Sequence, residues 1–195
     1  MGKGRDNPFC QSLGALFALI LLVAGCARLH KKPLPPSPPP MPSSFTALGY
    51  FGYKDPSNSL HGMWELEYQG DGDYRLSLYS NIGTLEACLS LVHGTPLPCK
   101  EGIRGKEVLD TLPPELWEAL PWILLGRLKG SQVEINSKGR AKETMISLGD
   151  RGLWRVSFQH YLEAEGVPYP TLVKVEGEEV SLNIRIEEME PRPSP

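Results

Sequence analysis

From Ser44 onward, apolar and polar residues alternate with a period of two. Trp64, Leu66 and Tyr68 alternate with Glu65 and Glu67, and Tyr74, Leu76 and Leu78 with Arg75 and Ser77. Trp154, Val156 and Phe158 alternate with Arg155 and Ser157, and Val180, Leu182, Ile184 and Ile186 with Ser181, Asn183 and Arg185. Such runs have one oily and one wet face, the mark of strands in an antiparallel sheet solvated on one side. Turn residues punctuate them at Asp55-Pro56-Ser57-Asn58, Gln69 to Asp73, Gly149 to Gly152 and Glu176-Gly177-Glu178. The alternation predicts roughly seven to nine strands. Only the middle reads as helical: a short piece near Lys106 to Leu112, then Pro114 to about Leu125. Pro113 and Pro114 suit a helix start, and Pro121 is expected to kink or split the second piece. Leu116, Trp117, Leu120, Trp122, Ile123, Leu124 and Leu125 make that piece the natural cover for the oily face. The predicted fold class is therefore mainly antiparallel β with a short helical lid. Periodicity alone leaves three arrangements open: a barrel filled by its own side chains, a sheet with an apolar groove, or a plain packed core.

The segment before Ser44 obeys different rules. Lys3 and Arg5 precede an apolar run of twelve residues, Leu13 to Ala24. That run is too short to span the roughly 20-residue hydrocarbon thickness but suits a signal-peptide core. It ends in Leu22-Val23-Ala24-Gly25-Cys26, the pattern of a bacterial lipobox. Residues 1–25 are then the lipoprotein signal peptide, and Cys26 is the mature, acylated N-terminus carrying palmitate-type chains. An ordinary cleaved signal with an incidental cysteine is the blander alternative. Each buried acyl CH₂ contributes about 0.8 kcal/mol, so several chains anchor stably. Ala27 and Arg28 follow, with no aspartate to mark inner-membrane retention, which points to the outer membrane and its periplasmic face. Seven prolines between Pro33 and Pro42 favour extended polyproline II, making residues 26–43 an acylated, semi-rigid tether. The folded domain is expected over 44–190, with a tail at 191–195.

Composition changes the picture in one respect. The chain has 195 residues, 41% hydrophobic and 22% charged, as expected of one ordinary domain. Its net charge of -3 hides an asymmetry, because residues 44–195 hold 15 Lys+Arg against 22 Asp+Glu. So acidic a domain is a poor nucleic-acid binder, since phosphate neutralisation needs a basic face.

No catalytic chemistry is visible. His30, His61, His93 and His160 are scattered, and no metal-ligand spacing, nucleophile elbow or phosphate loop occurs. The expectation is a non-enzymatic monomer with no cofactor and no metal. Cys10 leaves with the signal and Cys26 is acylated, so Cys88 and Cys99 remain, in a compartment that permits disulfides. A two-residue turn at His93-Gly94 would set Cys88 directly opposite Cys99. The same register puts Pro96 and Pro98 at non-hydrogen-bonded positions of an edge strand, where a missing N–H is tolerated. A structural disulfide is expected there.

The order of these pieces resembles the LolB family of outer-membrane lipoprotein receptors over nearly all of 44–190. Tyr74 to Leu78 followed by Asn81-Ile82-Gly83-Thr84 is similar to that family's strand and apolar loop. Leu112-Pro113-Pro114 through Trp122-Ile123-Leu124-Leu125-Gly126 is similar to its proline-led helix. Trp154 to Phe158 with Tyr161, then Tyr169-Pro170-Thr171, resembles its later strands. The resemblance implies an unclosed half-barrel of the LolA/LolB kind, with an apolar cavity. It implies a receptor that accepts acylated client lipoproteins from a LolA-like periplasmic carrier and helps insert them into the membrane. The cavity walls would be Trp64, Leu66, Leu76, Leu78, Leu89, Trp154, Val156, Phe158, Leu182 and Ile184. Trp117, Leu120 and Ile123 would come from the lid. Ile82 would be the membrane-insertion residue, or else a staple packing the hairpin end. The long tether, the cysteine pair and Asn81 in place of a usual proline depart from the family pattern. Rival readings are a binder of free lipid or another apolar ligand, and a structural or assembly lipoprotein with a simply packed sheet.

Overall fold

The structure is a computed structural model and describes residues 41–101, 112–128, 133–148 and 152–192, all within the compact unit Ser37–Pro195. The signal segment, Cys26, the tether up to residue 40 and the helical piece at 106–111 lie outside the described residues. Ten strands follow one another: β1 (Ser44–Lys54), β2 (Ser59–Gly70), β3 (Asp73–Tyr79), β4 (Leu85–Val92), β5 (Thr95–Glu101), β6 (Val133–Ile135), β7 (Ala141–Ser147), β8 (Leu153–Ala164), β9 (Val167–Glu176) and β10 (Ser181–Arg192). Helix α1 (Pro114–Leu124) stands between β5 and β6. The alternation rule thus undercounts the strands, because β5 and β6 are short or proline-bearing and show little period-two contrast.

All ten strands form one antiparallel sheet in the order β5-β4-β3-β2-β1-β10-β9-β8-β7-β6. Two five-stranded meanders therefore meet where β1 pairs with β10, and β5 and β6 are left as unjoined edges. The sheet is unclosed, and a half-barrel topology follows from the strand order. Both edges are protected against further pairing. Pro96 and Pro98 remove donors from β5, and β6 is only three residues long. Register shifts mark bulges in the β1–β10, β2–β3, β3–β4, β4–β5 and β6–β7 pairs, and bulges bend strands. At the central seam, Leu48 faces Glu188 and Gly49 faces Ile186, so Glu187 is the extra residue. Gly49 lies against the Arg185 carbonyl, where a Cβ would overlap the oxygen.

The oily faces named above are the buried ones. Leu66, Val156, Val173, Val175, Ile123 and Leu124 have no exposed surface, and they share one core with Phe45, Leu76, Leu182 and Ile184. Strand β10 runs on to Arg192, with Pro191 opposite Phe45 and Arg192 opposite Ser44, so the expected tail begins two residues later than 191.

Two local expectations need correcting. Helix α1 is not split at Pro121, and it continues through that residue to Leu124. Proline removes one N–H and so orphans the carbonyl four residues back, that of Trp117. The Tyr74 hydroxyl donates to this Trp117 oxygen at 2.7 Å, supplying the missing partner from β3. The second correction concerns Cys99. His93 and Gly94 both have positive φ, as a two-residue type I′ turn requires. The expected register holds from Val92↔Thr95 to Leu89↔Pro98. A bulge then intervenes, Cys88 faces Lys100, and Cys99 is the extra residue. The two cysteines are nevertheless joined, with Cα atoms 5.2 Å apart. A bulged residue swings its side chain out of the strict alternation, which lets a diagonal pair bond.

Candidate functional site

Helix α1 begins on Pro113-Pro114, whose missing N–H groups fall where a helix needs no donor. It ends in a Schellman motif: the Gly126 N–H bonds to the Ile123 carbonyl at 2.9 Å and the Arg127 N–H to the Trp122 carbonyl at 2.8 Å. Gly126 has φ 63°, and a Cβ there would strike the Tyr161 hydroxyl. Leu116, Trp117, Leu120, Ile123 and Leu124 are buried against the sheet. Each such side chain contributes about 1.5–3 kcal/mol relative to exposure, so the helix is firmly seated.

Under it lies a cavity lined by Phe51, Trp64, Leu76, Leu78 and Leu112 together with Trp117, Leu120, Leu124, Leu182 and Ile184. Its lining is entirely apolar. The one polar atom of the Trp64 ring is satisfied elsewhere, since its Nε1–H donates to the Tyr50 carbonyl at 3.1 Å. The free volume is about 30 Å³, the share of a single water. A void of this size with apolar walls stays dry and holds no acyl chain as it stands.

Of the wall residues expected from the sequence, Trp64, Leu76, Leu78, Leu182 and Ile184 come together at this cavity, with Trp117 and Leu120 from the helix. Leu66, Leu89, Ile123, Trp154, Val156 and Phe158 are buried in the same core without lining it. Phe51, Leu112 and Leu124 complete the wall. Phe51 and Leu124 carried a legible signal, one on the oily face of β1 and the other in the apolar helix stripe, whereas Leu112 is placed by the turn into Pro113.

Ile82 stands apart from all of these. It occupies the β3–β4 loop and is 89% exposed, so it does not staple the hairpin end. The loop itself is well tied. The Gly83 N–H bonds to the Ser80 carbonyl at 2.9 Å, the Ser80 N–H to the Thr84 carbonyl at 2.8 Å, and the Thr84 N–H to Ser80 Oγ at 3.2 Å. A hydrogen-bonded loop therefore holds one large apolar side chain in water. Among the described residues no cluster of metal-ligating side chains occurs, and no helix is long and apolar enough to cross a membrane.

No family profile matches the chain. In overall structure it is similar to a LolA superfamily protein of Nitrosomonas europaea, with TM-score 0.47 and 11% identity over 81% of this chain and 90% of that one. It is also similar to an outer membrane lipoprotein-sorting protein domain of Vibrio parahaemolyticus, with TM-score 0.44 and 9% identity over 80% and 87% of the two chains. A DUF1329 family protein of Desulfovibrio piger gives TM-score 0.40 and 9% identity over 77% and 86%.

Proposed function

We propose that this chain is an acylated envelope lipoprotein, anchored through Cys26 in the outer membrane, that takes up the acyl chains of client lipoproteins beneath α1. A LolA-like periplasmic carrier supplies the clients, and the Ile82 loop hands them to the bilayer. The reading rests on one observation above all: the space between α1 and the sheet is walled by apolar side chains alone. The mechanism is binding and release, without covalent chemistry. At about 30 Å³ the cavity is too small for an acyl chain, so uptake requires α1 to move off the sheet. An entering chain replaces the contacts that Trp117, Leu120 and Leu124 surrender. Each CH₂ moved from one apolar wall to another changes little in free energy, so transfer turns on a small affinity difference. The exposure of Ile82 favours it as the delivery residue, because a bare isoleucine on a tied loop has no packing role to perform.

The small volume favours a second reading, a structural or assembly lipoprotein whose sheet is simply packed. The test uses the full chain in vesicles and a LolA-like carrier loaded with an acylated lipoprotein. The account expects acylation-dependent appearance of the client in the vesicles. A client that stays on the carrier while free fatty acid still binds would leave a lipid binder. Failure of both would leave the packed-sheet reading.

A further inference from the structure

A second cleft opens at the opposite end of the sheet from Ile82. It has a volume of about 240 Å³ and is lined by Asn136, Ser137, Lys138, Arg140, Lys142, Phe158, His160 and Tyr161. Every titratable group in this lining is a cation, a histidine or a phenol, and no carboxylate takes part. That is unexpected in a domain with 22 acidic residues against 15 basic ones. A third cleft at the Ile82 end, of about 590 Å³, shows the ordinary mixture, with Asp55, Glu176, Glu178 and Glu179 beside Lys54 and Arg155.

The basic cleft is also a shaped one. Asn136 Oδ1 accepts the Lys138 N–H at 2.9 Å and the Arg140 N–H at 3.1 Å, which folds the β6–β7 turn so that Lys138, Arg140 and Lys142 converge. The Arg140 guanidinium lies 5.4 Å from the centre of the Tyr161 ring, and the Tyr161 hydroxyl donates to the Ala141 carbonyl at 2.8 Å. A guanidinium held over a ring face is pre-oriented for an oxyanion. His160 has φ 54° in the middle of β8, a left-handed conformation that costs free energy for a non-glycine residue and gathers at binding sites. The nearest acidic partners are exposed and lie outside the lining: Glu163 is 3.6 Å from Arg140 and Glu134 is 3.6 Å from Lys142. The Lys142–Glu134 pair is exposed on both sides, worth about 0–1 kcal/mol and readily displaced by a better anion, whereas Arg140 is partly covered and its carboxylate partner is the exposed member.

We infer that this cleft is a binding site for a phosphate group, with Lys138, Arg140, Lys142 and His160 as its donors. The volume admits one phosphate with several waters. The group can belong to an anionic lipid head or to free phosphate. The inference does not depend on acyl uptake, and its test contains no acyl chain. The full chain in non-ionic detergent is titrated at constant ionic strength with inorganic phosphate, then with glycerophosphoglycerol, and followed by amide NMR shifts. Saturable shifts confined to residues 136–142 and 158–161 are expected, weakened at least fivefold in K138Q/K142Q. Both lysines are exposed, so this variant keeps the fold. A K54Q/R155Q control at the far end leaves the binding unchanged. Tighter binding of glycerophosphoglycerol assigns the site to a lipid head, and equal or tighter binding of phosphate assigns it to the free ion. Shifts that never saturate, or that K138Q/K142Q weakens less than fivefold, overturn the inference.

Discussion

The cavity beneath α1 and the cleft at the Ser44 end are built from opposite materials. The first is small, about 30 Å³, and lined by ten apolar residues. The second is larger, about 240 Å³, and lined mainly by cations and polar side chains. They still share a framework. Phe158 lies in the common core and also lines the cleft. Tyr161 lines the cleft while its hydroxyl lies against Gly126 at the end of α1. One sheet thus presents two chemically opposite environments, a dry one under the helix and a basic one at its rim.

The comparison is most strongly tested by enlarging the dry side. Leu120→Ala deletes a buried side chain from the cavity wall, and large-to-small changes of this type cost about 2–5 kcal/mol. Urea denaturation should show that loss. A saturated fatty acid should restore stability in the variant more than it adds to the parent. Reducing the Cys88–Cys99 bond comes next. It closes a loop of about a dozen residues, so its loss should cost about 2–3 kcal/mol. Acyl binding should be unaffected, because Cys88 alternates with the core-facing Leu89 and sits on the other side of the sheet from the cavity.

Tyr74→Phe probes the latch on the roof. It leaves the Trp117 carbonyl without the donor that Pro121 cannot provide, at a cost of about 1–2 kcal/mol. Stopped-flow uptake of an acyl probe should become faster. In a Pro121→Ala background, where the helix regains its own N–H, the same change should cost less, and an equal cost would remove the latch from the account. Ile82→Glu should have the smallest effect on stability, within about 0.5 kcal/mol, since the side chain is exposed. Client loading should persist while delivery to vesicles fails. Undiminished delivery would take Ile82 out of the mechanism.

What could be read from the sequence was whatever repeats locally. Trp64/Leu66/Tyr68 and Trp154/Val156/Phe158 announce their strands because a half-buried strand forces period two. The double proline announces the start of α1 for an equally local reason. The features that escaped depend on distant partners. Pro121 reads as a breaker until Tyr74, 43 positions away from Trp117, is brought beneath the helix. Cys99 reads as a directly opposed partner because a bulge leaves no mark in composition. The basic cleft joins a turn at 136–140 to the middle of β8, and neither segment looks charged enough alone to attract notice. Among the wall residues, periodicity told inside from outside, yet it could not tell which inside residues border a void.

The most direct test of the central claim is photocrosslinking of the full chain with a diazirine-bearing palmitoyl lipopeptide, with the sites mapped by mass spectrometry. The account predicts adducts on Phe51, Trp64, Leu76, Leu78, Trp117 and Leu120, competed away by unlabelled lipopeptide. Adducts confined to the outer face around Tyr50 and Met63, or to Ile82 alone, would contradict a cavity that receives acyl chains.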